Sequence, residues 1–129
     1  GIIAAPSDQS AGLTWSNGSY FWTYANNWGI GGGSYNTDIV VSAQGDGIYA
    51  AQLCKDLVLN TYDDWYLPSK TELDKLYDNR ALIGGFANNY YWSSTEDNWD
   101  GARRRHFGNG ASNGDYKNMP WAVRAVRSF

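Results

Sequence analysis

The sequence predicts one α+β domain spanning residues 1–129, with a small twisted antiparallel sheet, two or three helices and long ordered loops. A length of 129 residues is common for a single domain with its own core. Apolar patterns follow the order strand, helices, strands, which is typical of α+β folds. Aromatic residues make up 16% of the chain and glycine occurs fifteen times, so we expect many turns around a ring-rich core.

The first part of the chain predicts a strand followed by a ring-rich loop. Residues 1–8 form a strand that Pro6 ends. Residues 12–37 mix rings with turn residues, which indicates one or two short strands and a long ordered loop. Because so many rings are seldom left in water, we expect them to pack inside; they are Trp15, Tyr20, Phe21, Trp22, Tyr24 and Trp28.

Two helices are predicted next. Asn36 or Thr37 is placed to cap a short helix over residues 38–44. Residues 47–59 have helical periodicity, which predicts a second helix. Its broad apolar face consists of Ile48, Ala51, Leu53, Cys54 and Leu57.

The clearest helix signal begins at Ser69. Residues 65–67 form a short extended segment, which Pro68 helps to hold. Ser69 and Glu72 have the spacing of a capping box, so a helix starts there. We expect its buried stripe to contain Leu73, Leu76 and Tyr77.

Strands are predicted for the last third of the chain. Residues 89–95 alternate, with Tyr90, Trp92 and Ser94 on one face. Residues 122–129 form the closing strand, with Val123, Ala125 and Phe129 on the face opposite Arg124 and Val126.

Catalytic patterns are not found in this sequence. Its single histidine, His106, has no G-x-S-x-G nucleophile turn to serve. Cys54 is the single cysteine and lies at helical spacing among apolar residues, which indicates an inert core thiol. Asp97, Asn98 and Asp100 offer oxygen atoms to calcium, but no EF-hand spacing follows, and no zinc or phosphate-loop motif occurs. We therefore expect no catalytic residues, no metal and no cofactor.

Charge is divided unevenly along the chain. Residues 1–100 carry four basic and twelve acidic residues, a balance of −8, whereas residues 101–129 carry six basic residues and one acidic residue. An acidic body repels phosphate at long range, so nucleic-acid binding is not expected. No apolar run approaches the length of a membrane span, so membrane insertion is not expected either. A local anion site near the C-terminus remains compatible with this distribution.

Binding chemistry is concentrated between residues 97 and 122, which we expect to form ordered loops. Rings, amides and charges alternate there, and sugars offer hydroxyl groups to amides and carboxylates and an apolar face to rings, while sulfates match arginine forks. An ordinary solvated, turn-rich edge is the alternative for any one residue. The candidate ligand-binding residues are Asn98, Trp99, Asp100, Arg103, Arg104, Arg105, His106, Asn109, Asn113, Tyr116, Lys117 and Trp121.

Strand periodicity distinguishes the three consecutive arginines. If residues 103–107 are extended and Phe107 faces the core, Arg104 and His106 point outward. Arg103 and Arg105 then lie on the Phe107 side, at the edge of the sheet.

Several segments together resemble the family of the C-terminal domain of the Legionella collagen-like adhesin, over essentially the whole chain. They are "IIAAPSDQS", "GLTW", "YAAQLC", "YDDWYLPSKTEL", "IGGF", "YWSSTE" and "VRAVRSF", with Ala102, Phe107, Gly110 and Lys117. The resemblance implies a C-type-lectin-like fold in a bacterial module that is extracellular or on the cell surface and binds without catalysis. It also implies a homotrimer behind a stalk, and recognition of sulfated glycosaminoglycans by basic residues. The acidic body departs from the adhesin that binds polyanions, and only Arg103 to Arg105 with Lys117 could bind one. The sequence also lacks the sugar signature of calcium-dependent lectins.

Domains of this fold also serve as variable proteins of diversity-generating retroelements, which implies a second function, the binding of a protein ligand. The framework-like positions would be Tyr91 to Glu96, Ala102, Phe107, Gly110, Lys117 and Val123 to Arg127. The display surface would be residues 97–101, 103–106, 111–116 and 119–122. A third alternative is a trimeric structural cap on a stalk. A distant relation of fold to sulfatase-activating oxygenases would require paired cysteines, and Cys54 stands alone.

The predicted partners are therefore a host or surface glycan, or a protein ligand.

Overall fold

The computed structural model describes residues 1–129 and contains four helices and seven strands, which confirms the α+β class. The helices are α1 (Gly32–Gln44), α2 (Ala50–Lys55), α3 (Lys70–Asp78) and α4 (Arg80–Ile83). The strands are β1 (Ile2–Ala4), β2 (Ser10–Leu13), β3 (Tyr90–Glu96), β4 (Gly101–His106), β5 (Ser112–Tyr116), β6 (Trp121–Val123) and β7 (Val126–Ser128). None of the four helices combines the length and hydrophobicity needed to cross a bilayer.

The strands form two sheets. Five strands lie in the order β2-β6-β3-β4-β5, and β1 pairs with β7 in a separate two-stranded sheet. Most pairs are antiparallel, but β3 and β6 run parallel, with Tyr91 opposite Ala122. The prediction of one antiparallel sheet was therefore wrong in this detail, because β6 follows β5 in the chain but lies on the other side of β3, beside which it runs parallel.

The closing segment contributes to both sheets. Residues 121–123 form β6 of the large sheet, and residues 126–128 form β7 of the small one. Between them, Arg124 is buried and donates from Nε to Asp8 Oδ1 at 2.8 Å. The predicted alternation of faces along this segment is wrong, since Val123, Ala125 and Val126 are all buried while Phe129 is exposed.

The first helix begins six residues earlier than predicted, at Gly32 instead of residue 38. Neither Asn36 nor Thr37 caps it, because both lie inside α1 and are buried. The first turn is satisfied from outside by Glu72, which accepts from Gly31 N–H at 3.1 Å and Gly33 N–H at 3.0 Å. A carboxylate at this end also interacts favourably with the helix dipole.

The second helix is much shorter than predicted. It covers residues 50–55 only, and Ile48 is 84% exposed instead of part of an apolar face. Ala51 and Cys54 do face the core, as predicted.

The third helix confirms the capping box. Ser69 Oγ accepts from Glu72 N–H, and the Glu72 carboxylate accepts from Ser69 N–H at 2.9 Å. Leu73 and Leu76 are buried as predicted, and Tyr77 is half-buried beside them.

Two clusters of buried side chains surround β3. Trp92 belongs to the larger cluster, with Trp15, Tyr49 and the inner residues of α1 and α2. Tyr91 belongs to the second cluster, where Phe107 and the α3 leucines pack. Successive side chains of a strand point to opposite faces, so both faces of β3 are covered and this strand forms the centre of the molecule.

Candidate functional site

Half of residues 97–122 lie in strands. The predicted ordered loops include β4 and β5; a turn at residues 97–100 joins β3 to β4, and a turn at residues 107–111 joins β4 to β5. Five residue pairs connect the two strands, from Gly101 opposite Tyr116 to Arg105 opposite Ser112. Two adjacent strands can hold side chains more rigidly than loops, so this region is a fixed surface.

A buried ion pair lies at the end of β3. Lys117 Nζ is 2.7 Å from Glu96 Oε2, and each side chain is 1% exposed. Lys117 Nζ also donates to the carbonyl oxygens of Phe21 and Trp99, each at 3.0 Å. All its donors are therefore used inside the protein, and the prediction that Lys117 contacts a ligand was wrong. Burial lowers the pKa of Lys117, and the nearby Glu96 carboxylate partly offsets this effect.

The same carboxylate holds an extended stretch of the chain that we call the ring segment, residues 20–28. Thr23 donates to Glu96 Oε2 from its N–H and its hydroxyl, both at 2.7 Å, and Tyr24 N–H donates to Oε1 at 2.9 Å. Further along, Asn36 Oδ1 accepts from Asn27 N–H at 3.0 Å. The ring segment is thus anchored at both its middle and its end.

Most rings of the ring segment face solvent, which overturns the prediction that they pack inside. Thr23 and Ala25 are buried, whereas Phe21, Trp22 and Tyr24 are exposed. We call the exposed rings of this area, together with Trp99 from the 97–100 turn, the ring surface: Phe21, Trp22, Tyr24, Trp28 and Trp99, which are 38–66% exposed. Exposed apolar area of this kind marks a contact site.

Arg104 lies on the face of β4 opposite Phe107, as predicted, but its side chain is only 15% exposed, so the prediction that it points outward into solvent was wrong. Its guanidinium carbon is 3.6 Å from the centre of the Tyr90 ring and 4.9 Å from that of Trp121. Arg104 Nη1 is 2.7 Å from Asp115 Oδ2, which also accepts from Trp121 Nε1 at 3.0 Å. His106 shares this side and packs edge-on against Tyr90, with centroids 4.7 Å apart.

The two other arginines lie on the Phe107 side, also as predicted. Arg105 is paired with Asp74 at 2.8 Å and lies over the Tyr77 ring, which in turn contacts Phe107. Arg103 lies 3.9 Å from Asp97 and 5.3 Å from the centre of the Trp28 ring. They are not at the sheet edge, because β5 covers that side of β4.

Each of the three consecutive arginines therefore has its own aspartate. Their side chains are only 15–19% exposed. Local charges cancel, so the six basic residues near the C-terminus do not form an unpaired cationic patch. Arg124 and Lys117 are buried, and Arg127 binds Asp64 through two nitrogens.

Several predicted site residues also shape turns. Asn98 Oδ1 accepts from Asp100 N–H, and Asn109 Oδ1 accepts from Ala111 N–H. His106 Nδ1 accepts from the N–H groups of Gly108 and Asn109. Asn113 Oδ1 accepts from Arg104 Nε at 2.8 Å. Tyr116 projects into solvent at the end of β5.

The framework-like positions are mostly buried, whereas the positions that lie between them in sequence are mostly exposed or half-buried. The buried ones are Tyr91 to Glu96, Ala102, Phe107, Lys117 and Val123 to Val126, while Gly110 and Arg127 are half-buried. The intervening positions are mainly exposed or half-buried, except Gly101 and Ala122, which are inside. The exposed positions that lie between β3 and β6 in sequence are thus supported by buried framework-like residues.

No three His, Cys, Asp or Glu side chains come together as ligands for a metal ion. Cys54 is fully buried, and its burial raises the pKa of the thiol strongly.

The ring segment is the part of the surface that the sequence interpretation missed. Its signal is the alternation Trp22-Thr23-Tyr24-Ala25, in which the small residues face inward and the rings outward. In a half-buried strand the large apolar side chains usually face the core and the small polar ones face solvent. The sequence pattern alone therefore favours burial of the rings, which is the opposite of what the structure shows.

Comparison with known proteins gives one match. The model of a family described as the Lcl C-terminal domain matches residues 5–127, nearly the whole chain. No curated protein matches the chain.

Proposed function

The chain belongs to the Lcl C-terminal domain family, whose members are adhesin-associated, and from this premise we propose that it is a non-catalytic binding module. In this proposal it acts outside the bacterial cell or on its surface. It adopts a C-type-lectin-like fold and holds a glycan on the exposed side chains of the 97–100 turn, β4 and β5.

One observation carries the proposal: a buried frame fixes a surface of rings and amides. Trp99, Tyr116 and Asn98 are exposed, and the strands and turns beneath them are fixed by backbone pairing and by the Glu96–Lys117 pair. A preorganised surface loses less entropy when a ligand binds. Ring faces and amide groups are the partners that a sugar's C–H face and hydroxyls require.

The charges favour a neutral glycan over a sulfated one. Sulfate binding relies on arginine or lysine donors that remain available. Arg103, Arg104 and Arg105 are each paired with an aspartate. A sulfated chain would have to displace these carboxylates, whereas a neutral chain would not.

Retention on two affinity columns tests this proposal, one carrying neutral oligosaccharides and one carrying heparin. The neutral column is expected to retain the protein, and Trp99→Ala is expected to reduce that retention. On heparin, we expect weak retention that Arg104→Ala changes little. Steeply salt-dependent heparin binding that is lost in Arg104→Ala would instead support recognition of a sulfated glycosaminoglycan.

Binding of a protein ligand, as in a variable receptor of a diversity-generating retroelement, is the second candidate. The separation between the buried frame and the exposed positions favours it, because such a surface can change its side chains without losing its fold. We expect the triple variant Asn98→Ser, Asn113→Ser, Tyr116→Ser to keep a melting temperature near that of the original. A large loss of stability would contradict this candidate.

A further inference from the structure

We propose that the ring surface is where sugar residues of a neutral glycan stack, with Trp22 and Tyr24 as the principal platform. This inference rests on the proposed function and extends its site to the ring segment, outside residues 97–122. It assigns the main ligand contacts to residues 20–28, which are distant in sequence from Arg103, Arg104 and Arg105.

The rings of the ring surface are exposed and mostly uncovered. Elsewhere, a cation of the same chain lies over the ring, as Arg127 does over Tyr62 at 3.6 Å and Arg80 over Tyr77 at 3.9 Å. No Lys or Arg lies over Phe21, Trp22, Tyr24 or Trp99 in this way. Trp22 and Tyr24 stack on each other and Tyr20 packs edge-on against Trp99, so it is the remaining exposed faces of these rings that are available to an external partner.

Trp22 and Tyr24 form a pair with nearly parallel planes. Their centroids are 6.0 Å apart and the planes differ by 15°. Thr23, between them, is buried against Glu96. The two rings stack on each other, so the pair offers its outer faces to the apolar C–H face of a sugar.

Backbone strain is maintained at this pair. Tyr24 has φ of 65°, a left-handed conformation that a bulky residue rarely adopts. Its N–H donates to Glu96 Oε1, which helps to hold the residue there. Such strain persists where the surroundings determine it, and it is concentrated at functional sites.

Polar groups near the rings suit hydroxyls and not anions. Asn26 on the ring segment, Asp97 and Asn98 are exposed and offer amide and carboxylate groups. The nearest cations are committed: Lys117 to Glu96, and Arg103 to Asp97. A second copy of the chain with the same surface would bring like carboxylates together, which disfavours self-association through this face.

Glu96 and Lys117 act as positioning residues in this proposal. Neither contacts the ligand, because both are buried. Together they tie Phe21, Thr23 and Tyr24 to the 97–100 turn through Trp99. The rings of the ring segment and of the turn are thereby held in one arrangement.

The test uses the full chain and a fixed panel of cello-, chito-, manno- and galacto-hexaoses, with heparin as the charged probe. We expect at least one neutral hexaose to bind and to change the tryptophan fluorescence. In the double variant Trp22→Ala, Tyr24→Ala we expect its affinity to fall about tenfold or more. Phe129→Ala is the matched control, since it removes an exposed ring outside the ring surface, and should bind as the original does.

The outcomes separate the two proposals. If the double variant melts like the original and still binds the hexaose with equal affinity, the ring surface is not the site, although glycan binding stands. If the unmodified chain binds heparin only, the neutral ligand is rejected. If it binds no member of the panel and no heparin, both the glycan-binding function and this inference are overturned.

Discussion

At the scale of single residues, the Glu96–Lys117 pair positions other groups at a cost in stability. Burial lowers the pKa of Lys117 even with Glu96 beside it, so the desolvation of the ammonium exceeds the attraction of the carboxylate. An apolar pair could pack in the same space. An apolar pair could not accept hydrogen bonds from the N–H groups of Thr23 and Tyr24. Nor could it donate hydrogen bonds to the carbonyl oxygens of Phe21 and Trp99.

The effects of changing the two partners of this pair are expected to be coupled. Lys117→Met leaves a buried, unpaired carboxylate and should lower the free energy of unfolding by about 3–5 kcal/mol. The double variant Glu96→Gln, Lys117→Met should lose less than the sum of the two single variants. Urea unfolding measures all three, and strict additivity would contradict a direct coupling between the two residues.

Cys54 gives a pH dependence of known sign. Burial raises the pKa of its thiol, so the folded state holds this proton more tightly than the unfolded state. Stability from this group is present below the unfolded thiol pKa, about 8.5, and is lost as the pH rises above it, by about 1.4 kcal/mol per pH unit.

The comparison with Cys54→Ala isolates this effect, because both chains share all other titrating groups. We expect the difference in unfolding free energy between them to be constant from pH 6 to 8 and then to shift in favour of Cys54→Ala up to pH 10. Urea unfolding with a reductant present measures it. A constant difference up to pH 10 would contradict a protonated thiol in the fold.

Residue roles were predictable where they depend on neighbours in sequence. The Ser69–Glu72 capping box and the position of Arg104 on the strand face opposite Phe107 both follow from local spacing. The burial of Lys117 does not, because its partners come from residues 21, 96 and 99. From sequence alone, a lysine in a turn-rich region is expected to be solvated.

At the scale of elements, Glu72 joins two helices. Its carboxylate accepts from Ser69 N–H at the start of α3 and from Gly31 and Gly33 N–H at the start of α1. Gly33 is required there, since a Cβ at this position would lie 2.3 Å from Glu72 Oε1. The start of α1 could not be predicted because its cap comes from about 40 residues away.

Two substitutions separate the local cap from the long-range one. Ser69→Ala removes the side-chain half of the capping box and the hydroxyl's hydrogen bond to the Gly29 carbonyl oxygen at 2.7 Å, and should cost about 1 kcal/mol of unfolding free energy. Glu72→Ala leaves donors of both helices unsatisfied and should cost about 3 kcal/mol or more. Amide exchange should accelerate at Gly31 and Gly33 in Glu72→Ala but not in Ser69→Ala. Equal costs for the two variants would contradict a shared cap.

Strands and helices with a strong local pattern, such as α3 and β3, were predicted from the sequence. The β5 strand was not recognised, and β4 was considered only as an extended option for residues 103–107, because their polar and glycine-rich residues indicate loops. The extended form of β4 is imposed by pairing with the buried β3, and β5 in turn pairs with β4. Tertiary context overrides weak local preference here.

At the scale of the whole molecule, the ring surface is small and exposed, so one copy should bind a glycan weakly. We propose that the protein acts as a homotrimer, which presents three such surfaces to one glycan-bearing face. Linked sites raise the apparent affinity by about 10²–10⁴ without any new contact, provided that they can engage together. A homotrimer that bound no glycan would correspond to the third alternative, a structural cap on a stalk.

Valency therefore offers a test independent of the site residues. Sedimentation equilibrium of the chain alone should establish its association state across micromolar concentrations. Fusion to a three-stranded coiled coil should then increase retention on an immobilised neutral hexaose by about 100-fold over a monomeric form, with little change in affinity for the free hexaose. The fusion carrying Trp22→Ala and Tyr24→Ala is the control, and should lose this gain because avidity multiplies only sites that bind. Equal retention of the monomeric and trimeric forms would show that the surfaces cannot engage one face together, and would contradict the trimer as the binding unit.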